Sequence, residues 1–175
     1  MSKKNKSIYV IGFILISLPV FEVKALDEVE IVLSGEITAE CSISQTLQSI
    51  TLGELSRAGN ENFALQVQCN APFQYDVESV HGGLQLVAEA ETNGFTSFLP
   101  YEFSTYIPTD TGLISDNCSS QMLKTGFKSC PLSNSGNGVA MPSNAVFTLA
   151  WQSSELPLLA GDYQDQITIS FAVQP

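Results

Sequence analysis

The stretch Phe63-Ala64-Leu65-Gln66-Val67-Gln68-Cys69-Asn70-Ala71-Pro72-Phe73-Gln74-Tyr75-Asp76-Val77-Glu78-Ser79 decides the fold class. Phe63, Leu65, Val67 and Cys69 fall on one face, with Gln66 and Gln68 on the other. After the turn signal Asn70-Ala71-Pro72, Phe73, Tyr75, Val77 and Ser79 alternate with Gln74, Asp76 and Glu78. A period of two sends successive side chains to opposite faces of a strand. The stretch therefore predicts two half-buried strands joined by a short turn.

The same period recurs on both sides. Val29, Ile31, Leu33 and Ile37 alternate with Glu30, Val32, Ser34 and Glu36. Near the end, Ile167, Ile169, Phe171 and Val173 alternate with Thr168, Ser170, Ala172 and Gln174. Gly53, Gly59-Asn60, His81-Gly82-Gly83, Asn93-Gly94 and Gly161-Asp162 punctuate the chain as turns. The run LQLVAEAE at 84–91 has helix formers, yet Leu84, Leu86 and Ala88 also fit a strand. Many short strands with frequent turns predict an all-β sandwich. The segment 108–144 is rich in Ser, Gly, Asn and Thr and is expected as a long loop, with a strand resuming at Ala145 to Trp151.

The N-terminus reads as a removable leader. Lys3, Lys4 and Lys6 precede an uncharged apolar run over residues 8–20, and Val23-Lys24-Ala25 offers a cleavage site before Leu26. The apolar run is short for a membrane span, which needs about 20 residues. An uncleaved anchor is the alternative. The expected organisation is a signal peptide at 1–25, an alternating segment at 26–38 and a β domain at 39–175. Cleavage after Ala25 leaves 150 residues (175 − 25), enough for one domain with a substantial core. It also leaves Arg57, Lys124 and Lys128 against 17 acidic residues, a net charge of −14 (3 − 17). Such a surface repels phosphate, which argues against nucleic acid and anionic membrane as partners.

Cys41, Cys69, Cys118 and Cys130 all follow the leader, and an even count in an exported chain reads as disulfides. Three pairings are possible. Cys41–Cys69 with Cys118–Cys130 is favoured because each closes the shorter loop. A zinc site lacks support: the chain has no C-x-x-C and one histidine, His81. His81 lies in the turn Ser79-Val80-His81-Gly82-Gly83, without a G-x-S-x-G nucleophile motif, a Walker loop or a dinucleotide fingerprint. The expectation is a non-enzyme with no metal, no cofactor and no small-molecule substrate.

An apolar strand at a free terminus can pair within its own sheet or complete the sheet of a neighbour. A set of ordered motifs bears on that choice. Ile37-Thr38-Ala39-Glu40-Cys41-Ser42-Ile43, Thr51-Leu52-Gly53-Glu54-Leu55 and Leu65-Gln66-Val67-Gln68-Cys69-Asn70 come first, followed by Phe73 to Gly83. Pro100-Tyr101-Glu102-Phe103-Ser104-Thr105-Tyr106 and Gly161-Asp162-Tyr163-Gln164-Asp165-Gln166-Ile167-Thr168-Ile169 complete the set. In this order they resemble the spore coat protein U domain, the subunit domain of archaic chaperone–usher pili, over nearly all of residues 29–173. The resemblance implies an incomplete immunoglobulin-like β-sandwich completed by a donor strand. Ile31, Leu33, Gly35 and Ile37 would lie along that strand. Ile167, Ile169, Phe171 and Val173 would line or border the acceptor groove. The implied partners are a periplasmic chaperone, an outer-membrane usher and neighbouring subunits of a surface fimbria that supports adhesion or biofilm formation. A self-complete secreted or coat sandwich and a minor adhesive subunit are the competing readings.

Overall fold

The computed structural model describes residues 30–44, 49–88, 93–126, 130 and 134–174. The expected leader, its expected cleavage junction Ala25–Leu26 and residues 26–29 lie outside the described residues. The chain divides into two units, residues 1–36 and residues 37–175.

Among the described residues of the second unit, ten strands follow one another. They are β1 (Cys41–Ile43), β2 (Gly59–Cys69), β3 (Phe73–Ser79), β4 (Leu84–Leu86), β5 (Phe98–Leu99), β6 (Glu102–Thr109), β7 (Gly112–Ser119), β8 (Ala140–Trp151), β9 (Tyr163–Gln164) and β10 (Ile167–Val173). A 3₁₀ turn spans Ser120–Leu123. The described residues contain no α-helix. All strand pairings are antiparallel. One sheet has the order β1-β2-β8-β6-β7, β10 pairs with β3, and β4 stands between β5 and β9.

Alternation builds one shared core. The inward residues of β2, β6 and β8 include Val67, Phe103 and Phe147, and those of β3 include Phe73, Tyr75 and Val77. These side chains belong to a single apolar cluster. The Phe147 ring lies 5.3 Å from that of Phe63 and 5.9 Å from that of Phe103, centroid to centroid. The quoted stretch folds as its period predicts: Phe73, Tyr75, Val77 and Ser79 are all buried. Residues 84–86 form a strand, so alternation prevails over helix propensity there.

Both disulfides have the favoured pairing. Cys41–Cys69 ties β1 to β2 at residues that face each other in the ladder. Cys118–Cys130 anchors the connection after β7. That connection runs along one edge of β3. Asn134 bridges to Gln74, Lys124 bridges to Ser79, and the Phe73 N–H donates to Ser135 Oγ at 2.7 Å.

Two expectations need correction. The segment 108–144 is not one long loop, because Gly112–Ser119 is β7 and β8 begins at Ala140. β7 faces the core with Ile114, Asp116 and Cys118. A carboxylate at the middle inward position masks the apolar period. Asp116 is accommodated by a short hydrogen bond from the Tyr75 hydroxyl. The second correction concerns residues 30–40, whose alternation reads as a strand. They form none in this chain. A strand exists through its ladder partner, and these residues have no strand partner among the described residues. The side chain of Asn70 pins the end of this segment: its Nδ2 donates to the Thr38 carbonyl at 2.9 Å and its Oδ1 accepts the Glu40 N–H at 2.7 Å.

Candidate functional site

β10 has two edges with different fates. One pairs along its whole length with β3, from Ile167 opposite Ser79 to Val173 opposite Phe73. No described strand pairs with the other. The side chains record the difference. On β3 the inward residues are all buried, whereas Ile167, Ile169, Phe171 and Val173 are only half-buried. An apolar face left half-covered lacks a layer of neighbours.

A cleft of about 1080 Å³ opens beside that edge. Ile167 and Ile169 form one wall, and Ile43 of β1 with Phe63 and Leu65 of β2 form another. Leu52 and Leu55, from the loop between β1 and β2, also reach it. Of the four expected groove residues, Ile167 and Ile169 line this cleft. Phe171 instead packs against Phe73 and Tyr75, with ring centroids 5.8 and 6.0 Å away, and Val173 ends the strand opposite Phe73. The opposite wall was not foreseen as part of a site. Its signal is the β2 alternation itself, which places Phe63 and Leu65 on one face of the strand.

The expected donor residues have the complementary character. Ile31, Leu33 and Ile37 are 77, 89 and 87% exposed. Gly35 has open space around its Cα. A run of large aliphatic side chains facing water stabilises nothing in the state that exposes it.

One end of the cleft is polar and built around Asp165. Its Oδ2 accepts hydrogen bonds from Ser79 Oγ at 2.6 Å, Tyr101 Oη at 2.8 Å and the Gly83 N–H at 3.2 Å. Its Oδ1 accepts from the N–H groups of Gln166 at 2.8 Å and His81 at 3.0 Å. Ser79 is fully buried, and it also accepts the Gly82 N–H at 2.7 Å. The carboxylate thus ties the turn after β3 to Tyr101 and to the start of β10. His81 enters this arrangement through its backbone, so Ser79, His81 and Asp165 lie together as a turn clamp. Gly82 and Gly83 have φ of 74° and 155°, and a Cβ on Gly83 would meet the Phe98 ring at 2.5 Å. Glycine is needed at both positions.

No family model matches the chain, and no curated protein is significantly similar to it.

Two tyrosines give the fold a defined alkaline limit. Burial, then the negative charge of Asp165, pushes the Tyr101 hydroxyl far above its ordinary value. Burial, then the hydrogen bond to Asp116, does the same for Tyr75. In the unfolded chain both ionise near pH 10. Above that pH the unfolded state binds fewer protons than the folded one, so stability falls as pH rises. We expect full stability below about pH 10 and progressive loss above it. Urea denaturation from pH 8 to 12 measures this, and Tyr101→Phe should flatten the decline. A flat profile in the wild type would contradict it.

Proposed function

We propose that the chain is a structural fibre subunit of the archaic chaperone–usher type, an incomplete immunoglobulin-like sandwich completed by the N-terminal segment of a neighbouring copy. The observation that carries this reading is the unpaired edge of β10, with its half-buried face beside an apolar cleft. It occurs in a chain whose alternating residues 30–40 make no strand of their own. β10 has seven residues, Ile167–Val173, and the donor run Ile31 to Ile37 has seven as well. Strand addition would satisfy the edge N–H and C=O groups of β10 and cover its apolar side chains in one step. The contact is head-to-tail, so it propagates into a fibre.

In this reading the leader directs export, a periplasmic chaperone occupies the cleft before assembly, and an outer-membrane usher passes the subunit to the cell surface. The fibre supports adhesion or biofilm formation. The role is structural rather than enzymatic. Supporting this, the Ser79 hydroxyl is fully buried and donates straight to a carboxylate, an arrangement suited to clamping a turn.

The test is a chain carrying a second copy of residues 27–38 at its C-terminus. Covering one apolar strand face should raise Tm by about 10 °C or more, since about 1 kcal/mol moves Tm by 2–8 °C in domains of this size. A self-complete sandwich would gain nothing, and an unchanged Tm rejects the proposal.

A further inference from the structure

The outer face of the five-stranded sheet is uncharged almost throughout, in a chain with net charge −11. Strand register fixes its layout. Ala64, Val146, Tyr106 and Ser115 stand side by side across β2, β8, β6 and β7. The next row is Asn62, Thr148, Ser104 and Asn117. On the other side, Gln66 pairs with Asn144 and Pro108 with Leu113. These positions alternate with the core residues of the same strands and so point outward. Among the described residues of these rows and the next, the single charge is Glu102, one row beyond Ser104.

The pattern on this face is specific. Ala64, Val146 and the Tyr106 ring form an apolar strip, with Tyr106 49% exposed. Amides and hydroxyls flank the strip along one side at one row spacing, about 7 Å; on the other side Gln66 and Asn144 flank its β2 and β8 end, and Pro108 and Leu113 extend the apolar surface beside Tyr106. Thr148 Oγ donates to Asn62 Oδ1 at 2.6 Å and Ser104 Oγ to Asn117 Oδ1 at 3.3 Å, which ties both amides into their row. Amide and hydroxyl side chains offer donors and acceptors together. A pyranose ring has the matching form: an apolar C–H face and a rim of hydroxyls that both donate and accept. An anionic polymer finds no cation here, and a basic partner finds only Glu102.

We propose that this face binds a neutral glycan, with one pyranose ring stacked on Tyr106 and bonded by Thr148, Asn117 and Asn144, and the next sugar along the strip bonded by Asn62 and Gln66 at its β2 end. A second copy of the chain fits less well. Three strand gaps and two row gaps make a panel of about 200 Å², against about 800 Å² per partner in a stable protein pair. The face is formed by β2, β8, β6 and β7 and does not involve the cleft, so the outcome here is independent of strand donation.

Saturation-transfer NMR on the full chain, with cellohexaose and chitohexaose as probes, tests this. Transfer to ring protons is expected, with affinity lowered about tenfold or more by Tyr106→Ala and changed less than about threefold by Tyr106→Phe. Circular dichroism should show both variants folded, since Tyr106 lies on the surface. The absence of transfer to either probe overturns the proposal, as does transfer that survives Tyr106→Ala. Sedimentation showing self-association that Tyr106→Ala abolishes would assign the face to a second copy and overturn it equally.

Discussion

Asp165→Ala is expected to lower unfolding free energy by about 3–5 kcal/mol, a large share of what a domain of this size possesses. The carboxylate accepts from two side-chain hydroxyls and three backbone N–H groups. Removing it strands these donors where the fold has already desolvated them, at about 1–3 kcal/mol for each that water cannot reach. Ser79 is fully buried and Tyr101 nearly so, so those two dominate. Asp165→Asn keeps one acceptor oxygen but points an NH2 at other donors, and should cost an intermediate amount. Asp162→Ala, three residues earlier on an exposed side chain, should stay within about 0.5 kcal/mol. Urea denaturation of the three variants ranks them. A loss below 1 kcal/mol in Asp165→Ala would mean that water replaces the carboxylate and that the turn is held elsewhere.

That clamp also shows where sequence reading stops. β2, β3 and β10 were legible because their inward positions are all or nearly all apolar, and hydrophobic burial writes itself as a period of two. β7 was not, because its central inward residue, Asp116, is accommodated by a tyrosine from another sheet. A polar residue satisfied at long range looks identical to a loop residue. Asp165 stood inside a quoted motif, Gly161-Asp162-Tyr163-Gln164-Asp165, yet its role depends on a turn more than 80 residues away. Residues 30–40 are the opposite case. Their alternation is a true statement about side chains, but the ladder that would make them a strand is not supplied within the described chain. Of the residues expected to line or border a groove, Ile167 and Ile169 line the cleft and Phe171 packs against the aromatic pair of β3.

The same logic gives a directional test of assembly. Leu33→Asp should disable the chain as a donor, and Ile169→Asp should disable it as an acceptor. In the proposed junction each replaces an aliphatic contact that docking would bury, about 2–3 kcal/mol, with a carboxylate that would have to be desolvated or protonated in the cleft, which costs more. Junction affinity should fall by about a thousandfold or more at 1.4 kcal/mol per decade. Alone, neither variant should form fibres. Leu33→Asp keeps an intact cleft, however, and Ile169→Asp keeps an intact donor segment. Mixed in equal amounts they should form one junction and stop, giving a dimer by sedimentation where the wild type gives polymers. Near-UV circular dichroism of Ile169→Asp checks that its core is retained. An isologous contact would also regain one intact half on mixing, but its wild type would stop at a dimer instead of polymerising. If the mixture stays monomeric while both variants are folded, residues 31–37 do not occupy the β10 edge. A mixture that polymerises would show that at least one of the two side chains lies outside the junction.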